Sequence, residues 1–306
     1  MRSVARLPRL GYRANMTDVA ILTPDPADSS YRGQWPGVLE RLQTALAAAG
    51  VSATPTPWVG HIEDASGLGA YPLILPLIVW GYHRDHDRWM QATRTWTDAE
   101  LPLANPATVL GWNSDKSYLR RLGARGVAIP RTLWTDGVTP DQTATAFDAL
   151  DTDTVVVKPT VSGGAWKTLR LNRGEPMIDP PLGTAMIQPY LSSMETEGET
   201  SLLFFGGRFS HAVNKRPVPG DFRIQVQFGG TYQTVAPPDG AMALAEQVLA
   251  AVDEPLLYAR IDMARGPGGE WLLMEAELIE PDFYLNNDPE TGAGFARAVR
   301  ERLEAS

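Results

Sequence analysis

The stretch WLLMEAELIEPDFYL, residues 271–285, places carboxylates inside a segment that otherwise has the pattern of a buried strand. Glu275 and Glu277 are separated by one residue, so a strand would direct both side chains to the same face. Two negative charges on a buried face are stable only next to positive charge. Glu280 and Asp282 follow beyond the strand, where a substrate contact and a plain loop both fit the sequence.

The segment before this strand predicts its partner. Residues 256–264 lead through the turn GPGG into residues 271–279, which is the pattern of an antiparallel hairpin. If both apolar faces lie in the core, Arg260 and Asp262 share a face with the two glutamates. A hard divalent metal such as Mg²⁺, bridged to phosphate, would neutralise three carboxylates there. An exposed face with salt bridges explains the hairpin alone equally well.

The composition excludes several classes of site and partner. The net charge of −9 over 306 residues argues against nucleic-acid binding, and the absence of cysteine excludes disulfides and a cysteine nucleophile. No apolar run has the length that a membrane span needs. Residues 1–15 contain arginines and no acid, which predicts a dispensable extension more than a targeting peptide. We therefore expect a cytoplasmic protein that acts on a small molecule and has no nucleic-acid or membrane partner, and a homodimer is compatible with the sequence.

The order of patterns predicts a mixed α/β (α+β) fold. Strands and helices alternate over residues 16–110, which is typical of a Rossmann-like domain with a parallel sheet. No G-x-G-x-x-G loop follows its first strand, so dinucleotide binding is not expected there. We predict LILPLIVW, residues 73–80, as the third strand, and Ser114 as the N-cap of a helix that carries Lys116 in its first turn. After that helix the pattern becomes antiparallel.

Glycine and basic residues point to a bound anion. Lys158 leaves an apolar strand just before Gly163 and Gly164, whose backbone N–H groups could approach a phosphate closely. Lys116 at a helix start is mildly unfavourable unless it faces an anion. Taken singly, each feature also fits a hairpin turn or a solvated lysine.

A second group lies on the antiparallel segment. Glu199 begins one strand, Lys215 ends the next, and Arg223 follows, so the basic residues could hold a phosphate or an acidic substrate. The alternative is charge at the rim of a sheet. The aromatic residues Trp80, Tyr82 and Trp112 could line a cleft, but packing in the core is the favoured interpretation.

In order, these elements resemble the ATP-grasp superfamily of ligases. SGGAWKT, GRFSHAVNKRP, GDFRIQ and the hairpin ending in MEAELIEPDFYL are most similar to the branch that contains the cyclo-ligase of cycloserine biosynthesis and glutathione-synthetase-like relatives. The resemblance implies three domains: residues 16–110, and two lobes, 111–190 and 191–306, that clamp ATP between antiparallel sheets.

The resemblance also implies a role for each residue. The expected nucleotide contacts are Lys116, Lys158, Gly163, Gly164, Gln188, Tyr190, Leu191 and Glu199. The expected catalytic residues are Arg260, Lys215 and Arg223. The expected ligands of Mg²⁺, with Mn²⁺ as an alternative, are Asp262, Glu275 and Glu277. The sequence departs from the family in two places, because Gln188 stands where Glu is usual and Glu277 where Asn is usual.

The implied activity is an ATP- and Mg²⁺-dependent, ADP-forming ligation. The carboxylate of the substrate would be phosphorylated, and a nitrogen would then displace the phosphate. In the cycloserine branch this closes O-ureido-D-serine to D-cycloserine. An intermolecular amide ligase and a non-catalytic ATP-binding regulator are the alternatives, and the second is disfavoured because the phosphate- and metal-binding residues are all present.

Overall fold

Three sheets follow one another along the chain. The computed structural model describes residues 16–218, 220–221, 223–224 and 228–306, so the predicted extension, residues 1–15, lies outside the described residues. Among the described residues, no helix is both long enough and apolar enough to cross a membrane. Their order along the chain matches the predicted change from a parallel to an antiparallel pattern.

The first sheet is parallel, as predicted, with the strand order β2–β1–β3. Its elements are β1 (Thr17–Thr23), α1 (Trp35–Ala48), β2 (Val51–Pro57), β3 (Ile74–Leu75) and α2 (His86–Asp98). The predicted third strand over residues 73–80 is wrong in length, because only Ile74–Leu75 pairs with β1. Pro76 has no N–H to donate, so the ladder is interrupted there, and the chain bonds to β1 once more through the N–H of Ile78, which donates to the carbonyl of Leu22 over 3.1 Å.

The second sheet is antiparallel, with the order β4–β7–β5–β6. Its strands are β4 (Leu133–Thr135), β5 (Thr154–Pro159), β6 (Leu169–Asn172) and β7 (Ala185–Pro189). The helices of this region are α3 (Ala107–Asn113), α4 (Tyr118–Ala124) and α5 (Pro140–Leu150). Thr139 and Gln142 form a capping box that starts α5.

The predicted helix start at Ser114 is wrong. Ser114 ends α3, and its hydroxyl donates to the carbonyl of Gly111. Lys116 lies in the turn before α4, where its backbone N–H donates to the carbonyl of Thr160 over 2.8 Å. That bond ties the turn to the second sheet, so Lys116 is placed by a tertiary contact and not by a helical first turn.

The third sheet is antiparallel, with the order β10–β9–β8–β11–β12. Its strands are β8 (Glu199–Phe205), β9 (Arg208–Arg216), β10 (Thr231–Val235), β11 (Tyr258–Arg265) and β12 (Trp271–Glu277). The accompanying helices are α6 (Ser193–Thr196), α7 (Ala241–Val252) and α8 (Ala293–Glu304). β8 is buried along its whole length, because strands flank both its edges.

The β11–β12 hairpin has the predicted register at its polar end. Arg260 pairs with Glu277 and Asp262 pairs with Glu275, so their side chains share a face. The register then shifts after Asp262, so Met263 pairs with Leu273 and Met274 is an extra residue. Strict alternation with Glu275 would place Met274 on the apolar face of β12 that is directed to the core, and that prediction is wrong, since Met274 lines a cleft instead.

A buried asparagine joins the segment before α3 to this hairpin. The amide of Asn105 donates to the carbonyls of Tyr258 (3.0 Å) and Leu278 (2.7 Å), and its oxygen accepts from the N–H of Leu257 (2.8 Å). Asn105 is 1% exposed and has a φ of +51°, a backbone conformation that asparagine tolerates well. This one side chain therefore holds both strands of the hairpin at their polar end.

We predict that Asn105→Ala lowers the free energy of unfolding by about 2–4 kcal/mol, because it leaves several buried backbone groups without partners. Denaturant unfolding measures the change. The control is Asn172→Ala, since Asn172 is exposed and its loss should cost less than about 1 kcal/mol. Equal effects of the two substitutions would contradict the anchoring role of Asn105.

Candidate active site

A cleft of about 360 Å³ lies between the second and third sheets. Its walls come from β5 and β7 on one side and from β8, β9, β11 and β12 on the other. Every residue that the sequence assigned to a nucleotide, catalytic or metal role lines this cleft. The structure therefore brings the predicted residues together, and their individual roles stay predictions.

Two lysines face one carboxylate in the cleft. The ammonium groups of Lys116 and Lys158 each lie 3.9 Å from Oε1 of Glu275. Burial lowers the pKa of Lys158, and Glu275 opposes that shift. Burial would raise the pKa of Glu275, but the two lysines lower it below its ordinary value. Two cations share one acid, so this end of the cleft can accept more negative charge.

Asp262 is the centre of a buried ion network. It accepts a hydrogen bond from Ser201 (2.5 Å) and pairs with Lys215 (3.3 Å) and Arg260 (2.9 Å). Lys215 also pairs with Glu199 over 2.5 Å, and the two residues face each other in the β8–β9 register. Despite burial, Arg260 and Lys215 lower the pKa of Asp262 to about 2.

The charges around Lys215 are strongly coupled. Burial favours the neutral amine, but Asp262 and Glu199 raise the pKa of Lys215 above its usual range. Burial raises the pKa of Glu199, which Lys215 only partly offsets. The positive charge of Lys215 therefore stabilises the charged forms of the two buried carboxylates beside it.

Arg260 joins Asp262 on its own strand to Glu277 on β12. Its guanidinium lies 3.2 Å from Oε1 of Glu277 and stacks 5.2 Å from the ring centre of Tyr284. Burial raises the pKa of Glu277, with Arg260 acting in the opposite direction. Glu277 is thus paired with an arginine. An asparagine at this position is neutral and could not neutralise the positive charge of that arginine.

The acids in the cleft suit a metal that phosphate completes. No group of three or more His, Asp or Glu side chains in the described part of the chain has the arrangement of a self-contained metal site. Asp262 and Glu275, however, are directly paired across the hairpin and present hard oxygen donors to one face. Mg²⁺ commonly takes only one or two carboxylates plus phosphate oxygens. Those two residues therefore fit the ion better than the predicted set of three.

A chain of hydrogen bonds fixes the amide of Gln188. The hydroxyl of Thr132 donates to the carbonyl of Pro130 (2.8 Å), and Nε2 of Gln188 donates to that hydroxyl (3.0 Å). The hydroxyl has a single proton, so it can only accept from Gln188. The amide oxygen of Gln188 is left as an acceptor for a ligand in the cleft.

Two side chains outside the cleft lining hold the neighbouring Tyr190. The guanidinium of Arg170 lies 3.9 Å from the centre of the tyrosine ring, and the tyrosine hydroxyl donates to Glu195 over 2.7 Å. Arg170 also pairs with Glu195 over 2.8 Å. These contacts fix the linker between β7 and α6, where the sequence places the adenine contacts.

The glycine segment packs against the first part of the chain. A Cβ at Gly163 would lie 3.1 Å from the imidazole of His83, so only a residue without a side chain fits without displacing that ring. Gly164 has a φ of +60°. Arg223 is partly exposed and pairs with Asp221 over 2.7 Å, so in this structure it faces an acid of its own loop.

Several residues at or next to the cleft were missed from the sequence. Tyr82 packs against a core cluster, as the preferred interpretation expects, and it also lines the cleft. Trp112 packs in the core and donates to Glu254. Ser201 follows Glu199 by two residues, and that spacing could have identified it. Tyr284 and Thr132 had no comparable signal, because only the folded chain brings Tyr284 to the cleft and Thr132 to Gln188.

We predict that Lys215→Met lowers the free energy of unfolding by about 3–5 kcal/mol, because two buried carboxylates lose their shared cation. The pKa of Glu199, already raised above its ordinary value of 4.5, should rise further in the folded state. The folded variant then holds protons that the unfolded chain releases, so its stability relative to wild type should fall as pH rises above that value.

Denaturant unfolding at about pH 5 and about pH 8 measures both effects. The matched control is Arg208→Met, which removes the cation of the exposed pair with Glu301. It should cost less than about 1 kcal/mol at either pH. A pH-independent loss in Lys215→Met would contradict the proposed coupling.

Comparison with known proteins identifies relatives over most of the chain. No family model matches the sequence. The cycloserine biosynthesis protein DcsG of Streptomyces lavendulae is 31% identical over 224 residues, covering 66% of this chain and 74% of that protein. The crystal structure of D-cycloserine synthetase DcsG matches with a TM-score of 0.76 and 24% identity, covering 94% of this chain and 99% of that one.

The ATP-grasp ligase PsnB has a more distant structure of the same fold. A complex of PsnB with a phosphomimetic variant of its minimal precursor, Mg and ADP matches with a TM-score of 0.63 and 14% identity, covering 94% of this chain and 99% of that one. The sheets that clamp the cleft are therefore those of this fold. Because the similarity to DcsG covers most of that protein at the sequence level, the chain belongs to the ATP-grasp family of ATP-dependent ligases.

Proposed function

We propose that this enzyme uses ATP and Mg²⁺ to close O-ureido-D-serine into D-cycloserine. The observation that carries the proposal is the cleft, where two lysines face the single carboxylate of Glu275, and Glu275 pairs with Asp262 across the hairpin. The similarity to a cycloserine biosynthesis protein supports the choice of substrate. The arrangement as a whole supports phosphoryl transfer to a carboxylate followed by formation of a C–N bond.

The nucleotide end of the cleft suits adenine. The oxygen of Gln188 is fixed as an acceptor by Thr132, and an acceptor there matches the amino group of adenine. Lys116, Lys158 and the segment at Gly163 would hold the phosphates, since lysines and glycine backbone N–H groups both bind phosphate. Binding of the triphosphate would supply the negative charge that the two lysines lack.

The first step is transfer of a phosphoryl group. A carboxylate oxygen of the substrate attacks the γ-phosphorus, the bond to the bridging oxygen breaks, and ADP leaves. Asp262 and Glu275 would hold Mg²⁺, which would supply positive charge to offset the phosphate oxygens. Arg260 and Lys215 lie beside these acids, where their fixed positive charges can stabilise the transferred group.

The second step forms the ring. The nitrogen bonded to the side-chain oxygen attacks the activated carbonyl carbon, the bond from that carbon to the phosphate oxygen breaks, and the proton lost by the nitrogen leaves with the phosphate. Loss of the carbamoyl group as carbon dioxide and ammonia, with addition of water, gives the free ring. The cleft holds the two reacting groups close together, so proximity supplies much of the acceleration.

We further propose the domain limits 16–110, 111–190 and 191–306 and a cytoplasmic location, which suits an enzyme that consumes ATP. Arg223 is assigned to the substrate or the terminal phosphate, and this requires it to exchange Asp221 for the ligand. Mn²⁺ in place of Mg²⁺ and a homodimer stay predictions.

The direct test incubates the enzyme with ATP, Mg²⁺ and O-ureido-D-serine. Release of ADP and appearance of D-cycloserine by mass spectrometry in equal amounts is the expected result. Omission of Mg²⁺ and use of an added amine acceptor are the controls. Turnover only with an added amine would identify an intermolecular ligase, and no ADP with any substrate would contradict a catalytic role.

We predict that Glu275→Gln abolishes turnover while the fold stays intact. The neutral amide keeps the shape but removes the charge that the metal and the two lysines require. Steady-state ADP release measures the loss, and the melting temperature controls for folding. Glu270→Gln, in the exposed turn of the same hairpin, should keep the wild-type rate. Wild-type rates in Glu275→Gln would remove this hairpin from the active site.

A further inference from the structure

We propose that Glu280 binds the ammonium group of the substrate, so that the cleft selects an amino acid over the same acid without its amine. This inference rests on the proposed function and deepens it by naming the substrate class that the cleft accepts. The residue follows β12 by a few positions, and the resemblance to the family leaves its role open.

The position of Glu280 is that of a ligand contact. It is partly buried and lines the cleft together with Glu277 and Tyr82. The side chain of Trp80, from the segment after β3, is close enough to the carboxyl group of Glu280 to favour its charged form. A part of the chain outside the two clamping sheets therefore lies next to this carboxyl group.

The charges of the cleft leave Glu280 without a cation. Lys116 and Lys158 face Glu275, Lys215 faces Glu199 and Asp262, and Arg260 faces Asp262 and Glu277, as described above. In the described ranges, no basic group lies within 4.0 Å of the carboxylate of Glu280, although every other acid that lines the cleft has such a partner. A cation brought by the ligand would complete the pairing.

The charged and titratable groups that face Glu280 from neighbouring elements are Tyr31, Tyr82, Tyr258, Glu277 and Arg260. Of these, Glu277 opposes the charged form of Glu280 and Arg260 favours it. Burial, and then Glu277, raise the pKa of Glu280 well above its usual range, while Arg260 lowers it only in part. A bound ammonium would reverse that shift, which is the electrostatic basis of a selective contact.

The arrangement of charges matches the two ends of an amino acid. Arg260 lies beside Glu277, and its guanidinium can also attract the carboxylate that is to be phosphorylated. Glu280 is the next acid beyond Glu277 and faces the same cleft. A substrate with its carboxylate toward Arg260 and its ammonium toward Glu280 satisfies both charges at once.

The test compares binding of O-ureido-D-serine with that of its analogue without the amine, 3-(ureidooxy)propanoic acid. Calorimetric titrations are made with Mg²⁺ and a non-hydrolysable ATP analogue present. We expect wild type to bind the amino acid about 10- to 100-fold more tightly than the analogue, the range for a charged hydrogen bond. Glu280→Gln should lose that preference and keep its affinity for the ATP analogue and its melting temperature.

Asp282→Asn is the matched control, because it removes the same charge from an exposed residue of the same loop. Asparagine keeps the oxygen that accepts from the N–H of Tyr284, so the loop is preserved. This variant should keep the full preference for the amino acid. Loss of the preference in Asp282→Asn would overturn the proposal, since a general field effect would then explain both variants.

Two other results would overturn it as well. An unchanged preference in Glu280→Gln excludes the contact, and unchanged binding with a large fall in kcat would make Glu280 a proton acceptor instead. Failure of wild type to bind either ureido compound would contradict the proposed function and not this contact. The pair D-serine and 3-hydroxypropanoic acid then tests Glu280 separately, and equal binding of that pair by wild type would overturn the ammonium site.

Discussion

The ion network around Asp262 holds the working face of the third sheet together. Its carboxylate on β11 contacts Ser201 on β8, Lys215 on β9 and Arg260 on its own strand. A buried network of this kind is stable only when every member is paired, since removal of one partner leaves a charge in a poorly solvated place. The same network therefore fixes the strand positions and keeps two cations charged next to the proposed reaction centre.

The two ends of the cleft differ in charge. At Glu275, two lysines share one carboxylate, which leaves room for the negative charge of phosphates. Beyond Arg260 and its partner Glu277, Glu280 lines the cleft without a basic group within 4.0 Å in the described part of the chain, so that end has room for a cation. A triphosphate at one end and an amino acid at the other would each neutralise the end that it meets, which places their reactive groups between the two ends.

The first part of the chain contributes more to the cleft than its separate sheet suggests. Asn105 fixes the polar end of the hairpin, His83 packs against Gly163, and Trp80 lies beside Glu280. These contacts come from the segments that follow the short third strand. After the short third strand the chain reaches the other two sheets, and Tyr82 from this part of the chain lines the cleft.

The sequence by itself determined the active hairpin. Period-two alternation placed Arg260, Asp262, Glu275 and Glu277 on one face, because a buried strand allows only one register once its apolar side is fixed. Local patterns likewise gave the parallel first sheet and the antiparallel strands after it. Only the tertiary structure decided the bulge at Met274 and the position of Lys116 in a turn. It also decided the hydrogen bond from Gln188 to Thr132 and the lack of a basic partner for Glu280 among the described residues. Each of these depends on which residue from a distant segment supplies a hydrogen bond or a charge, and spacing along the chain carries no record of that choice.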